Sequence, residues 1–211
     1  MKIAIIDSGM HAGHPHVGEI AGGVEITADG IGPDAMDRLG HGTAVAGAIR
    51  EKAPDAQLFA VKVFDRRLSA NIDVIVRALE WCREHCMDLV NLSLGTGNPA
   101  HRDAFLRVLS DDLLVVSAAG ALPGSLPGVI GVAPDPVCPR DVFRYDDGMF
   151  YASPYPRPIP GVPIDRNLHG ASFAVANMTG LVARALETSS RSQIREALLA
   201  KAANTLSRST V

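Results

Sequence analysis

The run Gly170-Ala171-Ser172-Phe173-Ala174-Val175-Ala176-Asn177-Met178-Thr179-Gly180 constrains this chain more than any other segment. From Ala171 to Ala183 there is no charged residue, and Ala, Val, Met and Leu leave no polar face, the pattern of a helix buried on every side. Other layers must therefore surround it. Ser172 stands at its mouth, where the first peptide N–H groups lack internal partners and the helix dipole would stabilise an oxyanion. Gly170 lets another backbone or a substrate come close. Taken alone, Ser172 reads equally well as a simple N-cap.

With 211 residues, 47% of them hydrophobic, the chain can bury one large core, and a single domain over 1–211 is expected. A net charge of −3 with dispersed Lys and Arg leaves no basic stripe for nucleic acid. No apolar run reaches the length of a membrane span, and Met1-Lys2 leads straight into Ile3-Ala4-Ile5-Ile6 without the layout of a secretory leader. A cytosolic protein with no membrane partner is the expectation. Cys82, Cys86 and Cys138 are odd in number and lack framework spacing, which fits reduced thiols. Cys82 and Cys86 have no second spaced pair of Cys or His with which to build a metal site.

Along the chain, Ile3 to Ile6 reads as a buried strand stopped by the turn Asp7-Ser8-Gly9. His11, His14 and His16 invite a metal reading, but Gly13 and Pro15 mark a loop rather than a rigid element. Residues 18–39 are expected to be loop with a short strand near Val24 to Ile26. Gly40-His41-Gly42-Thr43 then opens a helix of small residues that ends before Pro54. Strands are expected at Gln57 to Val63, Asp88 to Leu94, Leu113 to Ala118 and Val129 to Ala133, with helices at Ile72 to Cys86 and Ala104 to Leu109. Prolines crowd Pro134 to Pro163, which predicts a long ordered surface loop with one short strand near Phe150. A capping box at Ser190-Arg191-Ser192-Gln193 starts the last helix, through about Ala203. Alternating strands and helices imply an α/β fold, a mostly parallel sheet covered on both faces.

Asp7 at a strand end, with His41 and Ser172 at helix starts, could supply an orienting carboxylate, a base and a nucleophile. Their order along the chain is that of the subtilisin arrangement. The sequence resembles the subtilisin-like serine proteases: Asp7-Ser8-Gly9 looks like the family's D-[ST]-G, His14-Pro15 like its H-P, Gly40-His41-Gly42-Thr43 like its G-H-G-T, and Gly170-Ala171-Ser172-Phe173-Ala174 like its G-T-S-M-A. Val61-Lys62-Val63, Glu80-Trp81 and Asn91-Leu92-Ser93-Leu94-Gly95 extend the likeness, which runs from Met1 to about Leu186. It implies a three-layer fold with about seven strands and a serine endopeptidase acting through an acyl-enzyme on a peptide or protein, without a cofactor. It also implies that Leu68, Ser69 and Ala70 edge the substrate groove, and that Ser93, Leu94 and Gly95, with Ala119 and Gly120, line the primary specificity pocket.

The chain departs from that family after its A-A-G. Ala119-Gly120 is followed by Ala121, where the family has an asparagine that donates to the oxyanion, and Leu122-Pro123-Gly124-Ser125-Leu126-Pro127 implies a shortened pocket loop. Pro54-Asp55-Ala56 follows the His41 helix without the inserted loop that binds calcium in many relatives, so no calcium is expected there. Met1 lies directly before the first strand, so neither signal nor pro-domain is expected. Narrow specificity, as in the processing of a peptide precursor, is the expectation from these departures; acyl transfer to an amine and a non-catalytic peptide-binding scaffold are the alternatives.

Overall fold

The computed structural model describes residues 1–109 and 112–208, so residues 110–111 and 209–211 of the expected domain lie outside the described residues. Its middle layer is a nine-stranded sheet in the order β3-β2-β4-β1-β5-β6-β7-β9-β8. The strands are β1 (Lys2–Asp7), β2 (Gly22–Ile26), β3 (Ile31–Gly32), β4 (Gln57–Lys62), β5 (Leu89–Leu92), β6 (Leu114–Ala118), β7 (Ile130–Pro134), β8 (Phe143–Asp146) and β9 (Met149–Ala152). Every pairing from β2 through β4, β1, β5, β6 and β7 to β9 is parallel, while β3 and β8 are antiparallel additions at the two edges. The seven parallel strands are the expected ones, and the two edge strands are new.

Period-two alternation decides which side each residue faces. In β1, Ile3 and Ile5 pack with α1 (His41–Arg50), α4 (Ala171–Leu186) and α5 (Ile194–Arg208). Ala4 and Ile6 pack with α2 (Ile72–Glu84) and α3 (Arg102–Val108) on the opposite face. Burial on both faces is why β1 is a continuous apolar run rather than an alternating one. The same parity directs Asp7, two residues beyond Ile5, toward α1 and α4.

The proline-rich region holds more order than expected. Residues 140–153 contain no proline, and within them β8 and β9 form a hairpin around Asp147-Gly148. Both turn residues have positive φ, 46° and 79°, the conformation that an Asp-Gly pair supplies for a two-residue hairpin. Phe150, expected on a lone strand, lies on β9 and pairs with Tyr145. At the last helix, Ser190 Oγ donates to Gln193 Oε1 (2.8 Å) instead of accepting a backbone N–H, and a short tight turn at 191–193 precedes α5.

Helix α4 is buried continuously from Phe173 to Ala183, as its composition requires. Its N-cap is Gly170, so Ser172 is the second helical residue and the plain N-cap reading fails. Small residues let α1 and α4 pack closely: a Cβ added at Gly180 would stand 2.8 Å from the Lys52 Cβ and 3.3 Å from the Ile49 carbonyl oxygen. The helix-propensity gain of Gly180→Ala, about 1 kcal/mol, is therefore opposed by an overpacking cost of roughly 1–3 kcal/mol. We expect urea unfolding of Gly180→Ala to show a net loss of about 1 kcal/mol; a raised midpoint would mean that α1 yields freely.

Candidate active site

From β1 the chain builds outward to β2 and β4 on one side, and α2 then carries it across to β5 on the other. Such a reversal leaves a crevice at the carboxyl ends of the strands. Asp7 ends β1 at that crevice, Ser93 follows the end of β5, and the N-termini of α1 and α4 stand over them. His41 is the first residue of α1 and Ser172 the second of α4, so long-range topology alone brings the three together.

His41 Nδ1 lies 2.7 Å from Asp7 Oδ1, which also accepts the Ser8 N–H at 2.8 Å. Asp7 is fully buried, and the His41 side chain is 14% exposed, less than a corner between two glycines suggests. The His41 ring also meets Phe173, the neighbour of Ser172, at 5.5 Å between centroids. Ser172 Oγ donates to the Ser93 carbonyl (3.2 Å), so its proton is aimed at the end of β5 rather than at the imidazole. Ser93 Oγ returns a bond to the Ser172 carbonyl (3.3 Å) and accepts from Asn91 Nδ2 (2.7 Å). Asn91 Oδ1 in turn accepts from Thr179 Oγ1 (3.0 Å). Because Asn91 and Ser93 share the parity of Leu89, β5 presents a short polar ladder to α4 that sets the height of Ser172 over the sheet.

Asp37 is a residue that the sequence reading passed over. Its Oδ1 accepts from Ser8 Oγ (2.8 Å) and from the Leu39 and Gly40 N–H groups (both 2.9 Å). Its Oδ2 accepts from the Thr43 N–H (2.8 Å) and Oγ1 (2.6 Å). One carboxylate therefore ties the end of β1 to both flanks of His41, at the positive end of α1. The only local signal was an Asp four residues before His41, a spacing that also suits an ordinary turn. Burial is the largest influence on the His41 pKa and lowers it; the hydrogen bond and charge of Asp7 and the charge of Asp37 outweigh burial and leave the pKa raised. For Asp37, burial pushes upward, but the hydrogen bonds from Thr43, Leu39 and Ser8 leave its pKa lowered.

The other expected residues are spread around this centre. Leu68 (53% exposed), Ser69 and Ala70 lie in an irregular surface segment after β4. Ser93, Leu94 and Gly95 run beside Ser172, and Ala119 and Gly120 follow β6. Lys62, the register partner of Asp7, is buried at the end of β4, with Glu25, Asp34 and Asp65 around its ammonium at 2.9, 3.2 and 3.3 Å. His11, His14 and His16 meet ring to ring, at 6.4 and 5.3 Å between centroids. Among the described residues, no group of three or more His, Cys, Asp or Glu is arranged to hold a metal ion, and no helix is long and apolar enough to cross a membrane. Cys82 and Cys138 are buried and Cys86 exposed, all as free thiols.

The model of the Subtilase family matches residues 1–133. This chain belongs to the subtilase family. Subtilisin from Bacillus pumilus is 30% identical over 204 residues, covering 86% of this chain and 72% of that relative. Subtilisin E of Bacillus subtilis (strain 168) is 35% identical over 131 residues, 57% of this chain, and the chain spans only 34% of the length of that relative. Among solved structures, sphericase superposes with a TM-score of 0.69 at 23% identity, covering 94% of this chain and 82% of that one, a likeness of fold. In this subtilase the family match ends before α4, whereas the similarity to the B. pumilus subtilisin covers more of the chain, 86% of it.

Three outcomes test this electrostatic arrangement. Because the folded His41 pKa is raised, the stability that His41 contributes is fully present below its unfolded value of about 6.5 and is lost as pH rises through the folded value. The unfolding free energy of the native chain minus that of His41→Ala should therefore shrink between about pH 5 and pH 9, and an NMR titration of Asp7→Asn should find the His41 pKa lowered. Asp37→Ala strands the Thr43 and Ser8 donors and should cost on the order of 2 kcal/mol in denaturant unfolding; a loss within error of zero would remove Asp37 from this account.

Proposed function

We propose that this chain is a serine endopeptidase that cleaves a narrow set of peptide or protein substrates through an acyl-enzyme. The observation that carries the reading is the 2.7 Å contact between a buried Asp7 carboxylate and His41 Nδ1, in a subtilase whose Ser172 opens the adjacent helix. An Nδ1–H donated to Asp7 leaves Nε2 unprotonated and free to act as base. Ser172 Oγ then attacks the scissile carbonyl while its proton passes to Nε2. The tetrahedral intermediate collapses as His41 returns that proton to the leaving amine, and water repeats the sequence on the acyl-enzyme. Asp7 stabilises the transient imidazolium. Beforehand the Ser172 hydroxyl must turn from the Ser93 carbonyl to His41; catalytic hydrogen bonds of this kind often tighten only when substrate binds.

The oxyanion would be met by the Ser172 N–H, in the first turn of α4, where the dipole adds to the hydrogen bond. At Ala121 the family's second donor is missing, and for subtilisin's own asparagine that loss is worth about 10²–10³ in rate. A slow, selective enzyme is consistent with that penalty. The same alanine favours a second reading, a scaffold that binds peptides without cleaving them.

A fluorophosphonate probe separates the two. Stoichiometric labelling at neutral to alkaline pH that vanishes in Ser172→Ala and falls sharply in His41→Ala is the outcome expected of the enzyme. A folded protein that takes up no label across that range would be the scaffold.

A further inference from the structure

The structure assigns a closed acyl-side pocket to this chain: we infer that the residue supplying the scissile carbonyl must be small, glycine or alanine, and that Ala121 with the Thr96–Leu122 bridge enforces this. The inference rests on the peptidase reading above and names its substrate class.

A carbonyl carbon bonded to Ser172 Oγ cannot lie far from Ser93, because that oxygen rests 3.2 Å from the Ser93 carbonyl and a turn between staggered rotamers about Cα–Cβ keeps it on the same side chain, beside the same strand end. The side chain next to it must therefore be housed along residues 93–96 and whatever faces them. What faces them is the chain leaving β6. The segments leaving these two neighbouring strands are joined. Thr96 and Leu122 exchange both backbone hydrogen bonds, N–H to carbonyl at 2.9 Å in each direction. The Ala121 methyl covers Gly95 so closely that a Cβ built on Gly95 would stand 2.8 Å from it and 3.3 Å from the Leu122 carbonyl oxygen. The Thr96 side of the clasp is itself braced, since Thr96 Oγ1 accepts the Asn98 N–H (3.1 Å) and lies 3.2 Å from His101 Nδ1.

Nor is there depth beneath the clasp. The Leu122 side chain is buried in the core beside α2 and α3. Residues 121–126 fold into a tight turn, with Ser125 N–H to Ala121 carbonyl at 2.9 Å and Leu126 N–H to Pro123 carbonyl at 2.8 Å. That turn lies on the ends of β6 and β7, where Gly124 is pressed against Ala118 and Gly131. Beyond it opens a cavity of about 1400 Å³ walled in part by Ala119, Gly120, Leu126, Phe150 and Arg195; among the described residues, none of 93–96, Ala121, Leu122, Asp7, His41 or Ser172 lines it. A bulky side chain bonded next to Ser172 would have to displace the Ala121 methyl and break two backbone hydrogen bonds, whereas hydrogen or methyl needs neither.

The test uses peptidyl diphenyl phosphonates that differ only in the side chain beside phosphorus, with a generic fluorophosphonate as reference. Phosphonylation of Ser172 expels phenol and leaves a stable Oγ–P bond, so mass spectrometry reads the rate directly. The alanine analogue should inactivate at least about 100-fold faster than the leucine or phenylalanine analogue, the scale on which a pocket rejects excess methylenes. Ala121→Gly, which removes the covering methyl, should narrow that gap by about tenfold, and Ala121→Val should slow every analogue. Fluorophosphonate labelling of Ser172 together with equal rates for the alanine and phenylalanine analogues would overturn the inference and leave the peptidase reading intact. No labelling by any reagent would overturn both. The native chain's series decides the matter even if an Ala121 variant does not fold.

Discussion

A carboxylate cannot be held away from water without donors to compensate it, and Asp7 imposes that condition on the middle of this protein. It ends the strand next to the middle of the sheet, it is fully buried, and parity turns it toward α1 and α4. Ser8 supplies one donor from the backbone and His41 another from α1. The α1 N-terminus must therefore sit directly above the strand end, and Asp37 keeps it there by binding both flanks of His41 and the Ser8 hydroxyl. Asp7 Oδ2 has no hydrogen-bond partner among the described residues, so the pair is satisfied on one oxygen only. Dependence on so few donors makes the position of His41 more consequential than that of an ordinary buried histidine.

The second organising condition is that α4 must be buried on all sides. A helix lying over the sheet and against α1 and α5 satisfies it, and Phe173, Val175, Met178 and Val182 fill the space. Burial of this kind normally excludes polar groups, yet Asn177, Thr179 and Ser172 occur in the same helix. Each has a specific partner: Asn177 donates to the Ser153 and Tyr155 carbonyls (2.8 and 2.9 Å), although its Oδ1 has no partner among the described residues, Thr179 reaches Asn91, and Ser172 reaches Ser93. The polar ladder on β5 thus serves packing and chemistry together. It satisfies a buried helix and fixes the register of the serine against the strand ends.

The segment after β6 is where this chain differs most from the pattern it otherwise follows. Residues 121–126 do not arch away but fold onto β6 and β7. Two consequences share that cause. A side chain that could donate to an oxyanion is replaced by a methyl group, and the methyl group lies over Gly95. On the peptidase reading, transition-state stabilisation and substrate choice are thereby linked through one position.

Periodicity, turn residues and charge are local, and from them alone the amino-acid sequence determined the order of strands and helices, the buried character of α4 and the candidates Asp7, His41 and Ser172. Where a weaker local cue was outvoted, as when the prolines around residues 134–163 masked the Asp147-Gly148 hairpin, the reading fell short. The role of Asp37, the ladder from Asn91 to Ser172, the present direction of the serine proton and the bridge between Thr96 and Leu122 were decided only by tertiary structure. Each depends on groups far apart in the chain, brought within about 3 Å by the sheet order. A hydrogen bond changes with tenths of an ångström and tens of degrees, and no pattern of residue types carries that information.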